Sequence, residues 1–323
     1  MDNKKKVLIT YSLPEEGLEE LYKDFDVTMS HRGAMAYNDL LPLIHDYDAL
    51  LAAGINVDEN LIEKAKNLKV INVYGAGYDN VDIDAATRRG ITVTHIPDTV
   101  TEPTAELAIG LMLSVTRRIA ECDRKLRQNK EFSWSMSRQM GYNLYGRELG
   151  IVGLGRIGMA TAKRAVALGM KISYYNRNKL GLDEESAYGA SYKQMDDLLA
   201  RSDVISLHTP LHRGTHHLIG ERELSLIKPT AFIINTARGA VIDEKALVKR
   251  LSEGKLAGAG LDVFEGEPRI PKELLTMDNV VLTPHIGTYT YETIVAMTRD
   301  ASKNIMDILR GHRPANVINP ETL

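Results

Sequence analysis

The sequence has a single cysteine, Cys122, among its 323 residues. One thiol can form neither an internal disulfide nor a thiolate cage for zinc or an iron–sulfur cluster. A dominant charge is missing as well: Lys plus Arg number 40 and Asp plus Glu 43, for a net charge of -3. Nothing therefore draws the chain in bulk to nucleic acid or to an anionic membrane. No apolar run approaches the roughly 20 residues of a membrane span. The Met1–Lys6 start leads into a short strand-like run rather than a secretory core, so a cytoplasmic location is expected. Internal repeats and low-complexity stretches are also lacking. What remains, 44% hydrophobic and 26% charged residues, is the composition of an ordinary globular chain, and it is longer than one core usually organises. Two domains are expected.

Short apolar runs alternate with amphipathic stretches. Val7–Thr10, Ala49–Ala53, Val70–Val73 and Ile91–Thr94 read as buried strands, separated by helical spacing over Pro14–Lys23, Asp58–Asn67 and Asp82–Arg89. Glu102–Leu126 reads as one long helix and Asn129–Tyr145 as a loop. Six further strands follow at Leu149–Val152, Lys171–Tyr175, Val204–Leu207, Ala231–Asn235, Gly258–Asp262 and Val280–Leu282, and a last helix spans roughly Tyr291–Arg310. Strand–helix alternation predicts an α/β fold of parallel sheets covered on both faces. The layout implies one domain interrupted by another, residues 1–100 with 287–323 around 101–286.

Gly153-Leu154-Gly155-Arg156-Ile157-Gly158 is a G-x-G-x-x-G run that directly follows a strand and opens a helical stretch. In that context the glycines allow a tight turn, close approach to a pyrophosphate, and close helix–strand packing, while the helix-start amides face the phosphates. The next strand ends at Asn176-Arg177-Asn178-Lys179, where NAD-specific sites carry an acidic residue for the ribose 2′-hydroxyl. Asn176 has no charge to repel a 2′-phosphate, and Arg177 and Lys179 can pair with one. The alternative is that these cations are simply solvated. NADPH is the expected cofactor, ahead of NADH.

Three more strands each end in a polar group: Arg238 after Ile233–Asn235, Glu267 after Leu261, and His285 after Leu282. Ligands bind beyond the carboxyl ends of strands in open parallel sheets, so these groups gather on the edge that holds the glycine loop. Singly, each has a bland reading, as salt-bridge donor, solvated loop charge or satisfied histidine. Together, beside a nicotinamide site, they match one chemistry.

Over nearly its whole length the chain resembles the D-isomer-specific 2-hydroxyacid dehydrogenase family. The resemblance rests on Tyr74–Asp82, Thr104–Leu107, the glycine loop, Ser206–Leu211, Asn235–Gly239, Asp262–Pro268 and Thr283–Gly287. It implies two doubly wound domains, a Rossmann nucleotide domain inserted in a flavodoxin-like substrate domain, and a homodimer joined through the nucleotide domains. It also implies Arg238, Glu267 and His285 as catalytic residues. By the same resemblance the cofactor set extends to Thr104, His208, Thr209, Pro210, Thr236, Ala237, Arg238, Asp262, His285 and Gly287. The substrate set comprises Ala53, Tyr74, Gly75, Ala76, Gly77, Arg238 and His285, with Tyr78, Arg138, Met140 and Tyr289 as further pocket walls; no metal site is expected. Glu267 stands where the related formate dehydrogenases carry glutamine, which argues against formate. The selector and the Thr101–Glu106 stretch resemble the glyoxylate/hydroxypyruvate reductase branch. A small 2-oxo acid is thus the expected substrate. The alternatives are an NADH-linked reductase of lactate type or of branched or aromatic 2-oxo acids, and a nucleotide-sensing binding protein of the same fold.

Overall fold

The structure is a computed structural model and describes residues 4–129 and 140–323. The chain divides into two compact units, residues 1–100 with 288–323, and residues 101–287.

The first unit holds five parallel strands, β1 (Lys6–Ile9), β2 (Asp26–Met29), β3 (Ala49–Ala52), β4 (Val70–Val73) and β5 (Thr92–Thr94), in the order β2-β1-β3-β4-β5. This is the flavodoxin-like doubly wound order. Because successive side chains point to opposite faces, Leu8, Leu50 and Ile71 enter one core while Val7, Ile9, Leu51 and Val70 enter the other. The second core is closed by Met297, Ala301 and Ile305 of the helix Tyr291–Leu309, so the chain's end returns to this sheet.

The second unit holds β6 (Glu148–Val152), β7 (Lys171–Tyr175), β8 (Ala190–Tyr192), β9 (Val204–Leu207), β10 (Phe232–Asn235), β11 (Gly258–Leu261) and β12 (Val280–Leu282). They form one parallel sheet in the order β12-β11-β10-β9-β6-β7-β8. Counted from β6 as first strand, the order contains the Rossmann sequence 3-2-1-4-5-6 with one strand added. Every strand runs the same way, so the carboxyl ends of β6, β7, β9, β10, β11 and β12 share one edge. Among the described residues, no helix is long and apolar enough to cross a membrane.

Three expectations need correction. The single helix over Glu102–Leu126 is two, Thr101–Thr116 and Ile119–Asn129. The break falls at Arg118, which takes a left-handed backbone (φ 57°) while its guanidinium grips the buried Glu121 carboxylate through two hydrogen bonds of 2.6 and 2.8 Å. The helix expected over Pro14–Lys23 is confined to Glu19–Asp24. Strands β2 and β8 have no counterpart in the sequence reading, because both bury little. The residues of β2 alternate exposed and half-buried and present no apolar run, and in β8 only Ala190 is buried. Of the loop expected over Asn129–Tyr145, residues 130–139 lie outside the described residues.

Candidate active site

The glycine loop is set by contacts that leave no room for a side chain. Gly153 follows β6 with φ 96°, and its amide donates to Tyr175 O at 2.9 Å. A Cβ on Gly153 would lie 2.9 Å from the His208 carbonyl, and one on Gly158 would lie 2.5 Å from Gly153 O. Gly155 differs: a Cβ there would meet nothing within 4 Å among the described residues. It caps the helix Arg156–Ala167, whose first amides face this open space.

Asn176, just past β7, clamps this loop. Its Oδ1 accepts from Leu154 N at 2.6 Å and its Nδ2 donates to Leu154 O at 3.2 Å. Beyond it, the two candidate cations part company. Lys179 Nζ lies 3.5 Å from Glu185 Oε2, and Glu185 also accepts from the Tyr174 hydroxyl. Arg177 is exposed and enters no ion pair among the described residues.

Past β9, His208 Nε2 lies 2.9 Å from Ser206 Oγ, and burial pushes the imidazole down to about 4, leaving it neutral at physiological pH. Beside it, and past β10, Thr209 Oγ1 and Thr236 Oγ1 are buried with no hydrogen-bond partner among the described residues. Buried hydroxyls are ordinarily satisfied. Two orphaned ones on the edge that carries the glycine loop fit a polar ligand lying along that edge. The residues present thus fit a dinucleotide.

The turn after β10 is organised by Asn235. Its Oδ1 accepts from Ala237 N at 3.0 Å and its Nδ2 donates to Arg238 O at 2.9 Å, while Arg238 Nη1 donates to Ala237 O at 2.9 Å. Gly239 then lets this turn touch the loop after β11, since a Cβ there would sit 1.9 Å from the Phe264 carbonyl carbon. That loop carries Glu267, whose peptide to Pro268 is cis.

Glu267 Oε1 accepts from Phe264 N at 2.9 Å, and Glu267 Oε2 lies 2.9 Å from His285 Nδ1. Partial burial pushes the Glu267 carboxyl up, but the hydrogen bonds from His285 and Phe264 N and the charges of His285 and Arg238 outweigh it and hold it low. The group is a carboxylate at neutral pH. A carboxylate only accepts hydrogen bonds, so His285 Nδ1 carries a proton and Nε2 is the nitrogen left to face a ligand.

His285 itself has a left-handed backbone, φ 55°, a conformation that costs a non-glycine residue about 1–3 kcal/mol and persists only where its surroundings enforce it. Asp262 enforces it. Its carboxylate accepts from Thr283 Oγ1 (2.6 Å), Ile286 N (2.8 Å) and Gly287 N (2.9 Å), and its carbonyl accepts from His285 N (2.8 Å). Burial raises the Asp262 carboxyl against these stabilising contacts. Asp262, expected as a cofactor ligand, is thus the group that shapes the His285 turn. Thr104 is buried next to Gly287, its Oγ1 and Cγ2 each 3.5 Å from where a Gly287 Cβ would stand.

The structure therefore brings Arg238, Glu267 and His285 into one electrostatic group on the edge that holds the glycine loop. The sequence reading missed the parts played by Asn235 and Gly239, although both lie in a stretch quoted for its resemblance. It also missed Glu244, whose carboxylate accepts from Glu265 N at 3.2 Å.

The first unit's candidates also follow strand ends. Ala53 N donates to Thr10 Oγ1 at 2.9 Å beyond β3 and β1. The Tyr74 hydroxyl donates to Ile294 O at 3.0 Å and lies 2.8 Å from Thr298 Oγ1, and burial pushes it up to about 12. Among the described residues, the amides of Ala76 and Gly77 donate no hydrogen bond, while Ala76 O lies 2.8 Å from His95 Nδ1. Tyr78 packs edge-on against His95, and Met140 and Tyr289 are exposed. Arg138 lies outside the described residues.

Comparisons with known proteins bear on the sequence and the fold. The profile described as D-isomer specific 2-hydroxyacid dehydrogenase, NAD binding domain, matches residues 109–287. A glyoxylate reductase of Thermococcus litoralis is 46% identical over 99% of this chain and 98% of its own. Among solved structures, a protein of Thermus thermophilus superposes with a TM-score of 0.90 at 39% identity, covering 97% of this chain and 99% of that one. An NADPH-dependent glyoxylate/hydroxypyruvate reductase of Sinorhizobium meliloti, in complex with NADP and malonate, gives 0.86 at 31% identity over 99% and 98%. Sequence, fold and the arrangement on the sheet edge converge: the chain belongs to the D-isomer-specific 2-hydroxyacid dehydrogenases, a family of NAD(P)-dependent oxidoreductases.

Proposed function

We propose that this protein reduces a small 2-oxo acid of the glyoxylate/hydroxypyruvate kind to its 2-hydroxy acid, with NADPH as reductant and His285 as proton donor. The observation that carries the reading is the Glu267–His285 pair, held beside the Arg238 turn by Gly239 and Asp262 on the glycine-loop edge.

The residues that would hold the dinucleotide are Gly153–Gly158 and the Arg156 helix start for the pyrophosphate, with Arg177 for the 2′-phosphate and Thr209 and Thr236 for polar groups along the edge. Bound there, the reduced nicotinamide supplies a hydride to the substrate's carbonyl carbon. As negative charge grows on the carbonyl oxygen, His285 Nε2 gives up its proton to that atom. Glu267 keeps Nδ1 protonated and the ring oriented throughout. Arg238 offers two parallel donors to the substrate carboxylate and polarises the carbonyl.

NADPH is favoured by the uncharged Asn176, by Arg177, and by the bound NADP of the Sinorhizobium meliloti relative. The substrate class follows the glyoxylate reductase relatives. The test is loss of reduced-nicotinamide absorbance, with NADPH and NADH in parallel, against glyoxylate, hydroxypyruvate, pyruvate and phenylpyruvate. Fast NADPH-dependent turnover of glyoxylate and hydroxypyruvate is expected. His285→Ala is expected to cut turnover by about two to four orders of magnitude while NADPH still binds. Turnover of that variant within a few fold of the parent removes His285 as the acid.

A further inference from the structure

Outside the catalytic group, one cluster of metal-ligating side chains stands out among the described residues: His216, His217 and Glu265. The two histidines end the turn after β9 and are adjacent in sequence, a relation that in extended chain would send their rings to opposite sides. Here His217 takes a left-handed backbone, φ 50°, pinned by its amide donating to Ala240 O at 2.8 Å. The two imidazoles consequently lie on the same side, stacked with centroids 4.0 Å apart and 27° between their planes. His217 Nε2 is 2.8 Å from Glu265 Oε1, and one ligand atom from each of the three residues lies within 4.8 Å of the other two.

We propose that His216, His217 and Glu265 bind one divalent transition cation of the zinc class. Two imidazole nitrogens and one carboxylate oxygen are a zinc-type donor set, with the remaining position open to water. Metal–ligand bonds of about 2.0–2.2 Å in a tetrahedral shell set neighbouring ligand atoms about 3.3–3.6 Å apart, between the 2.8 Å of the His217–Glu265 contact and the 4.8 Å limit of the cluster. Magnesium and calcium prefer all-oxygen shells and suit it poorly. The surroundings favour a cation, because the Glu244 carboxylate holds Glu265 N at 3.2 Å and Glu267 stands two residues further on. The His216 side chain is exposed, and His217 and Glu265 keep about a third of theirs in solvent (34% and 33%), so the ligands are reachable. Binding there fastens the Glu265–Gly266–Glu267 stretch to the turn after β9, which stabilises the loop that positions His285. The site is separate from the Glu267–His285 pair, and the proposal does not depend on which substrate or cofactor the enzyme uses.

The test titrates metal-free full-length protein with Co2+, followed by its visible absorption, and with Zn2+ by calorimetry, with Mg2+ and Ca2+ as controls. One equivalent per chain is expected to bind with micromolar affinity. His216→Ala and the conservative Glu265→Gln should each weaken it by about tenfold or more, as loss of one ligand in three demands. His285→Ala should leave it unchanged. Zn2+ should also raise the thermal midpoint of the parent but not of His216→Ala. Unchanged affinity in both ligand variants, loss of binding in His285→Ala, or no saturable binding at millimolar Zn2+ would each overturn the assignment.

Discussion

Replacing Glu267 by glutamine probes the proposed proton donor with almost no change of shape. Glu267 Oε1 accepts from Phe264 N at 2.9 Å, and the amide oxygen of glutamine can keep that bond. The amide NH2 then faces His285 Nδ1, where Glu267 Oε2 stood at 2.9 Å. A donor meets a donor, so the imidazolium that must deliver the proton loses its charge-assisted partner. Such a bond contributes about 1.5–3 kcal/mol. Solvent discounts it here, since the His285 and Glu267 side chains are 49% and 36% exposed, and the lower end of the range applies. A loss of about 1.5–2 kcal/mol lowers kcat for reduction by about 10–30-fold. Initial rates with NADPH and a 2-oxo acid read this directly, and cofactor affinity measured alongside should hold steady. A kcat within twofold of the parent would refute the argument that Glu267 sustains the protonated ring. The same change has a stability signature with a definite sign. Folding lowers the Glu267 carboxyl, so its stabilisation is present above the unfolded value of about 4.3 and disappears as pH falls through the lower native value. Glu267→Gln should therefore flatten the acid limb of the stability curve below about pH 4.5.

Other predictions follow from neighbouring contacts. Arg238→Ala should raise KM for the 2-oxo acid and lower kcat together, because the guanidinium is assigned both the carboxylate and the carbonyl; steady-state kinetics in which neither moves would remove it from the site. Arg177→Ser should cut the NADPH-over-NADH preference in kcat/KM by at least about tenfold, since a paired 2′-phosphate contributes more than a single neutral hydrogen bond. A preference that survives the change would return the selector to Asn176 or to Lys179, which already has Glu185 as partner. Gly239→Ala should be the most damaging of the small changes. Its Cβ would stand 1.9 Å from the Phe264 carbonyl carbon, and backbone cannot yield as a side chain can. Overpacking costs of about 1–3 kcal/mol or more are expected, read as a lower unfolding midpoint with loss of activity; a parent-like midpoint would mean that the two loops are not in contact.

Much of this molecule is legible in the chain because parallel sheets bury both faces. Val7–Ile9 and Ala49–Ala52 are continuous apolar runs for that reason, and such runs locate the strands. Strands that bury little of their surface escape this signal. In β2 the sequence Asp-Val-Thr-Met is half solvated, and in β8 only Ala190 is buried. The helix break at Arg118 is hidden because apolar spacing continues across it; the cause is the grip of Arg118 on the buried Glu121, a contact no periodicity records.

The site divides in the same way. The glycine spacing and the placement of Arg238, Glu267 and His285 after strands were set by sequence, since a parallel sheet delivers every strand end to one edge. Which partner each polar group takes was decided only in three dimensions. Lys179 turns to Glu185, Asp262 shapes the His285 turn, and Asn235 and Gly239 join the Arg238 turn to the Glu267 loop. His216 and Glu265 lie 49 positions apart and carry no joint motif. They meet because a left-handed residue turns one ring beside the other, and because β9 and β11 end on the same edge of the sheet.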